Sequence, residues 1–307
     1  MPIYNGEKKI AIALDSLLNQ TFKNFILIIS DNNSTDNTEN ICRSYQKKDS
    51  RIKYYRNKQN IGATNNFQKT LNMAKTPYFM WAAHDDVWEP NFISELISIL
   101  ENDKNFILSF CNFDLISDDE KDNRYKNDNS SYFLFSKIRD TYTRLKYSIH
   151  QNLAMYIYGI YRTSILKKIG GFSTRSKGGY GDDNLLLMRL IYHGKFYMHP
   201  KLLFHKRDRS YVEPNSKITK MIAAFSTAKD YFVKQTRFQS FSRKIIKEGN
   251  ISIAKKILLI YNTFICQIFI YLIILINNFL LNQSISQRKL SKYLQKIFLR
   301  DRFNRLK

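Results

Sequence analysis

A chain of 307 residues with 44% hydrophobic content is long enough for a full core and too apolar for wholesale disorder. Its 49 Lys and Arg outnumber 26 Asp and Glu, a formal charge of +23. Three separated cysteines, Cys42, Cys111 and Cys266, exclude a disulfide framework and match no zinc-ligand spacing, which fits a reducing compartment.

The start MPIYNGEKKI is polar, unlike a signal peptide. Ile10, Leu14, Leu17 and Leu18 then repeat at helical spacing, Phe25 to Ile29 is a continuous apolar run, and Thr35 begins a polar helix. Ile52 to Tyr55 reads as a short strand and Asn65 to Ala74 as a helix, followed by the apolar run Tyr78 to Ala83. Phe92 to Leu100 repeats at helical spacing ahead of the run Phe106 to Phe110. Such alternation predicts an α/β fold with a mostly parallel sheet and helices on both faces. From Ser117 to about Ser131 the chain is polar and reads as a loop or lid. Beyond it come Tyr156 to Tyr161, a Gly170-Gly171-Phe172 turn, a Gly-rich stretch from Gly178 to Gly181 and a helix from about Asp183 to His193. We place a domain over residues 1–214 and a basic, apolar helical region over 215–307, where 18 Lys and Arg meet three acidic residues.

That region holds Ile257 to Ile276, apolar and close to bilayer-crossing length, with Lys255 and Lys256 before it and Arg288, Lys289 and Lys292 after it. Asn262, Thr263 and Gln267 weaken a spanning helix, and an interfacial helix meeting anionic headgroups explains the same pattern. A buried helical pair or an oligomer interface is the alternative. Nucleic-acid binding fits poorly, because the basic residues alternate with long apolar runs.

Three acidic constellations carry chemistry. His84-Asp85-Asp86-Val87-Trp88 follows an apolar run, so two carboxylates sit where a strand runs out and an α/β sheet presents its ligand site. Such a pair holds a hard cation that shares its shell with phosphate oxygens; it also reads as a turn and helix cap before Pro90. Asp31 ends the strand-like run before Asn32-Asn33-Ser34-Thr35-Asp36, where a carboxylate can meet a base or ribose, or simply close a strand–turn–helix connection. Asp182 and Asp183 open an apolar helix behind a glycine-rich segment, as a general base or as caps. In His205-Lys206-Arg207-Asp208-Arg209 the Lys and Arg suit diphosphate oxygens and His205 a metal, although a cluster of this kind also forms solvated turns.

Taken in order, MPIYNGEKKIAIALDSLLNQTFKNF, the Asp31 to Thr38 turn, NIGATNNFQKTLNMAKTPYFMWAAHDDVW and GDDNLLLMRL resemble the family 2 glycosyltransferases, over roughly residues 1 to 210. The resemblance implies a GT-A (Rossmann-like) fold with a mixed, mostly parallel sheet, a C-terminal membrane-associating extension, a nucleotide-sugar donor with UDP favoured, a saccharide or lipid-linked acceptor, and Mn²⁺ or Mg²⁺. Carried over by position, Pro2, Tyr4, Asp31, Asn33 and Asp85 bind nucleotide, Asp86 binds metal together with His205, and Asp183 is the base, with Arg189 at the family's spacing downstream. Asp182, Arg207 and Arg209 are acceptor or phosphate candidates. Surface polysaccharide or glycolipid synthesis on the cytoplasmic side of a membrane is the expected setting, by metal-assisted inverting displacement. Two departures stand out: Ala83 replaces an acid common in the metal motif, and Pro2-Ile3-Tyr4-Asn5 stands where the family's first strand ends, so a central strand is expected to be missing. A GT-A scaffold serving as a membrane-surface module without turnover is the alternative.

Overall fold

The computed structural model of the chain describes residues 1–117, 124–126, 128–172, 182–208, 238–265 and 268. The chain divides into two compact units, Met1–Ser210 with Glu248–Ile251, and Tyr211–Lys247 with Ser252–Lys307.

The first unit opens with a parallel sheet of β1 (Pro2–Ile3), β2 (Leu27–Asp31) and β3 (Ile52–Arg56), side by side in chain order. Pro2 lies opposite Ser30, and Leu27 opposite Ile52. Where a strand was expected to be missing there is thus a strand of two residues, and the buried Met1 amine donates to Ile28 O (2.7 Å). Parallel neighbours need long crossovers, supplied by α1 (Ile10–Leu18) and α2 (Thr38–Lys48). Ile10, Ala13, Leu14 and Leu17 bury one stripe of α1. α2 buries only Thr38 and Cys42. It begins three residues after the expected Thr35, because the turn ahead of it is tied to a neighbouring loop. α3 (Ala63–Met73) packs on β1 and β2.

The second sheet runs β4 (Tyr78–Met80), β8 (Ile160–Arg162), β6 (Phe106–Ser117), β9 (Lys195–Asp208), β5 (Val87–Trp88), with β7 (Arg124–Lys126) on β6. Only β6 and β9 pair in parallel; the other contacts are antiparallel. The stretch read as a loop after Ser117 therefore contains a strand, β7, laid against Asp114 to Ile116. In β9 the register steps from His199 opposite Cys111 to Leu202 opposite Asn112, so a bulge takes up Pro200, which has no N–H for the ladder. α4 (Phe92–Asn102) covers β6 with Phe92, Ile93, Leu96, Ile97 and Leu100. A buried aromatic cluster fills the centre, with Phe110 against Phe204 at 5.5 Å and Trp81 against Tyr161 at 5.6 Å between ring centroids. α5 (Ser130–Lys137), α6 (Thr141–His150), a 3-10 turn at Ala154–Tyr158, α7 (Thr163–Lys168) and α8 (Asp182–Ile191) complete the described part of this unit.

In the second unit, residues 238–247 and 253–265 are helical. Arg243 lies over the Phe264 ring at 4.3 Å, and Ile246, Leu259 and Thr263 are fully buried. Among the described residues no helix is long and apolar enough to cross a membrane. The expected apolar segment Ile257 to Ile276 lies outside the described residues except for 257–265 and 268.

Candidate functional site

The loops leaving β1 and β2 hold each other. Asn5 N donates to Ser34 Oγ (2.9 Å), Gly6 N to Thr38 Oγ1 (2.8 Å) and Glu7 N to Asp36 Oδ2 (3.1 Å). In return Thr35 N donates to Asn5 Oδ1 and Asn37 N to Glu7 Oε2, both at 2.9 Å. Asn5 (φ 50°) and Asn33 (φ 66°) take the left-handed backbone these turns need, a conformation Asn tolerates better than most residues. Pro2 is buried in the sheet and Tyr4 is exposed.

Asp31 lies fully buried beneath these loops. Its Oδ1 accepts from Ser34 N (2.8 Å) and Ser34 Oγ (2.6 Å), and its Oδ2 accepts from Tyr54 Oη (2.6 Å). The expected base-contacting carboxylate is thus engaged by three internal donors. Beside it is an amide network absent from the sequence reading. Asn66 exchanges hydrogen bonds with Ser30 (2.7 Å each), and Asn57 donates to Asn32 Oδ1 (3.0 Å) and Asn66 Oδ1 (3.2 Å). Ile61 N also donates to Asn32 Oδ1 (2.9 Å). Buried amides of this kind fix a single arrangement once every partner is present.

The loop after β4 delivers Asp85 and Asp86 against β9. Asp86 is fully buried; it accepts from Lys206 Nζ (3.0 and 3.3 Å) and from Arg207 N (2.9 Å). Burial pushes its carboxyl up to about 6, with the Lys206 ammonium pulling the other way. Lys206 Nζ also lies 5.1 Å from the Tyr158 ring centre. Arg207, buried, donates from Nε to Asp85 O (2.9 Å). His205 is fully buried, its Nδ1 2.5 Å from Asp114 Oδ1 and its Nε2 2.7 Å from Glu89 Oε1. The basic cluster is therefore no solvated turn: positions 205–208 are strand, and His205 and Arg207 face inward. Arg209 lies outside the described residues, as do Gly178 to Gly181.

At the head of α8, Asp182 is buried and accepts from Thr64 Oγ1 (3.4 Å), while Asp183 Oδ1 accepts from Asn184 N (2.8 Å). Burial raises the Asp183 pKa, and the neighbouring Asp182 charge adds to the rise. Arg189 donates to Ile169 O (2.8 Å) and to Gly171 O, clamping the turn in which Gly170 (φ 81°) and Gly171 (φ 63°) need left-handed backbone. Tyr158 links the two acidic regions. Its hydroxyl is pushed up to about 12, by burial first, with Lys206 opposing and Asp86, Asp85 and Asp183 adding to the rise.

A cavity of about 430 Å³ opens at these strand ends, walled by the 5–9 loop, Asp36, His84, Asp85 and Arg207. A Cβ at Gly6 would meet Ile3 Cδ1 at 2.6 Å and His84 Cδ2 at 2.7 Å, so a side chain there would have to push these two aside. Lys8 and Lys9 were not singled out in the sequence, where adjacency to a strand end was the only available signal, and His84 was named only as the first residue of the Asp-Asp segment.

The residues do not fit a bound divalent cation as they are arranged. Asp86 is taken by an ammonium, and each His205 ring nitrogen is engaged by a carboxylate oxygen at hydrogen-bond distance, so neither faces an open position for a metal. Among the described residues no three His, Cys, Asp or Glu side chains form a cluster able to hold one. The expected pairing of Asp86 with His205 on a metal is replaced by two separate ion-pair networks.

Residues 1–170, more than half of the chain, match the model of glycosyl transferase family 2. The chain belongs to that family. An uncharacterized glycosyltransferase of Rickettsia typhi is 31% identical over 67% of this chain and 62% of its own length. One from Rickettsia prowazekii is 28% identical over 82% and 73%. In fold, this family member is similar to S. aureus TarS residues 1–349 in complex with UDP-GlcNAc (TM-score 0.62, 19% identity, 84% of this chain and 68% of that one). It is also similar to the mannosyltransferase PcManGT of Pyrobaculum calidifontis in complex with GDP-Man and Mn²⁺ (TM-score 0.56, 13%, 97% and 78%). The GT-A fold implied by the sequence is therefore present.

Proposed function

We propose that the chain transfers a glycosyl unit from a nucleotide-activated sugar to a hydroxyl acceptor in a single inverting displacement. The observation that carries this reading is a cavity at the strand ends with Asp85 of the Asp-Asp motif, Arg207, Lys8 and Lys9 in its wall. Asp183, its carboxyl raised toward the working range of a general base, takes the acceptor hydroxyl proton. The acceptor oxygen bonds to the anomeric carbon as the bond from that carbon to the diphosphate oxygen breaks. The diphosphate leaves with the electron pair, and Arg207, Lys8 and Lys9 supply positive charge for it. A UDP-sugar is the favoured donor, supported by the similarity in fold to a protein solved with UDP-GlcNAc.

The acceptor reading follows from the second unit. Ile253, Ile257, Tyr261, Phe264 and Ile268 are exposed, the first at 76%, and recur at helical spacing as one apolar stripe. Lys255 and Lys256 accompany it in a region with 18 basic and three acidic residues. This composition suits an anionic membrane surface, and with it a lipid-linked or membrane-proximal saccharide acceptor.

The test is nucleoside diphosphate release from UDP-, GDP- and dTDP-sugars by the detergent-solubilised chain with membrane extract as acceptor, alongside calorimetric nucleotide binding. Asp183→Asn should lower release at least 100-fold and leave nucleotide affinity within two-fold. Unchanged release in Asp183→Asn would overturn its role. Nucleotide binding without release by the wild type would favour the non-catalytic membrane-surface module, which the ammonium on Asp86 also suits.

A further inference from the structure

Asp86 ends the loop of the Asp-Asp motif where a divalent cation would be expected, yet its carboxylate is closed on three sides. Lys206 Nζ reaches both oxygens, Arg207 N caps Oδ1, and no side-chain surface is exposed. Lys206 is not placed by chance. Neighbouring residues on β9 are held by pairing, with His205 opposite Val87 on one side and Lys206 opposite Leu115 on the other, and the Tyr158 ring lies beneath the ammonium. A cation entering at Asp86 would have to displace this ammonium from both carboxylate oxygens and from the Tyr158 ring, against the repulsion of a doubly positive ion close by. His205, the other expected ligand, is held between Asp114 and Glu89.

The same strand supplies positive charge to the cavity. Arg207, one residue on from Lys206, stands in the cavity wall with its Nε on Asp85 O, and Lys8 and Lys9, just ahead of α1, stand in the same wall. A leaving diphosphate needs its growing charge neutralised, and here three side-chain cations are arranged at the cavity while the motif carboxylate is already neutralised by a fourth.

We propose that this chain handles the diphosphate of its donor with protein cations alone, Arg207 with Lys8 and Lys9, and that Lys206 occupies the place of the divalent metal at Asp86. This rests on the nucleotide-sugar reading above and names the cation that the reading leaves open.

The experiment is calorimetric titration of UDP, GDP and dTDP into the full chain in detergent, once with EDTA and once with excess Mn²⁺. Mn²⁺ alone is titrated in parallel, with the free ion followed by electron paramagnetic resonance. Expected are one nucleotide bound with affinity equal within three-fold in both buffers, no site taking up Mn²⁺ alone, and at least ten-fold weaker binding in Arg207→Ala. Binding at least ten-fold tighter with Mn²⁺ would overturn the proposal and leave the nucleotide-sugar reading standing. Failure of every nucleotide to bind in either buffer would overturn both. Lys206→Met provides a converse arm: binding in EDTA should weaken and Mn²⁺ should restore it. If that variant does not fold, the wild-type comparison still decides.

Discussion

Replacing Asp86 by Asn and Lys206 by Met, singly and together, measures what the buried pair does for the fold. Charges 3.0 Å apart attract by about 5 kcal/mol at an effective dielectric of about 20. Against this stands burial, which raises the Asp86 carboxyl from 3.8 to about 6 even with the ammonium present, a cost of about 3 kcal/mol for the ionised form. For Lys206, burial works against the charge, but Asp86 and Tyr158 outweigh it and the pKa rises. The carboxyl shift thus makes the pair costly and the ammonium shift makes it favourable. Asp86 sets the balance, since water reaches only the Lys206 side chain, 21% exposed against 0%. Each single substitution leaves an unpaired buried charge and should cost about 3–5 kcal/mol, whereas the double variant should lie within about 1 kcal/mol of the wild type or above it. Urea unfolding near neutral pH, followed by tryptophan fluorescence, reads this out, because Trp81 and Trp88 are the two tryptophans of the chain and both are buried in the first unit. A double variant whose loss equals the sum of the single losses would refute the coupling.

Burial also raises the Asp183 pKa, so its protonated form is favoured in the folded state and stability from this group is lost as pH rises through the raised value. Asp183→Asn should therefore melt at a higher temperature than wild type near neutral pH, with the difference vanishing below about pH 4, while the wild-type kcat/KM profile should lose activity on its acid side above that ordinary carboxylate range. An acid limb at about pH 4 would refute it. Arg189→Met removes two charged donors from Ile169 O and Gly171 O and should lower stability by about 2–4 kcal/mol in the same urea assay. Gly6→Ala forces Ile3 and His84 apart and should weaken nucleotide binding by calorimetry at least five-fold with little change in melting temperature; unchanged affinity would separate the cavity from the nucleotide site.

The strand–turn–helix units were legible because local pattern specifies them: the 10, 14, 17 spacing of α1, the apolar run into Asp31, and the helical repeat of α4. Boundaries moved where side chains were drawn into other work, as at Thr35, whose amide is bound by Asn5 across the sheet. The register of β9 was not legible. It takes β6, 91 positions earlier, to make the basic 205–207 segment a buried strand, and nothing local distinguishes that outcome from a surface turn. The Asn32, Asn57 and Asn66 network was hidden for the same reason, since each Asn alone reads as a turn residue and the amides meet only when α3 packs on β2.

The two strand-end carboxylates most visible in the sequence share one physical fate. Asp31 accepts from a backbone amide and two hydroxyls, and Asp86 accepts from an ammonium and a backbone amide. Both are fully buried, and neither stands in the cavity wall. A carboxylate so engaged acts through what it holds: Asp31 fixes Ser34, which receives the amide of Asn5, and Asp86 fixes the backbone of Arg207. Asn5 and Arg207 do stand in that wall. On the proposed nucleotide-sugar reading, contact with the nucleotide falls to the residues that these acids position, the 5–9 loop and Asp85 with Arg207. Substituting either buried acid, or the buried Arg207, should loosen the fold together with binding, while changes at Lys8 or Lys9 should weaken binding and leave the melting temperature close to that of the wild type.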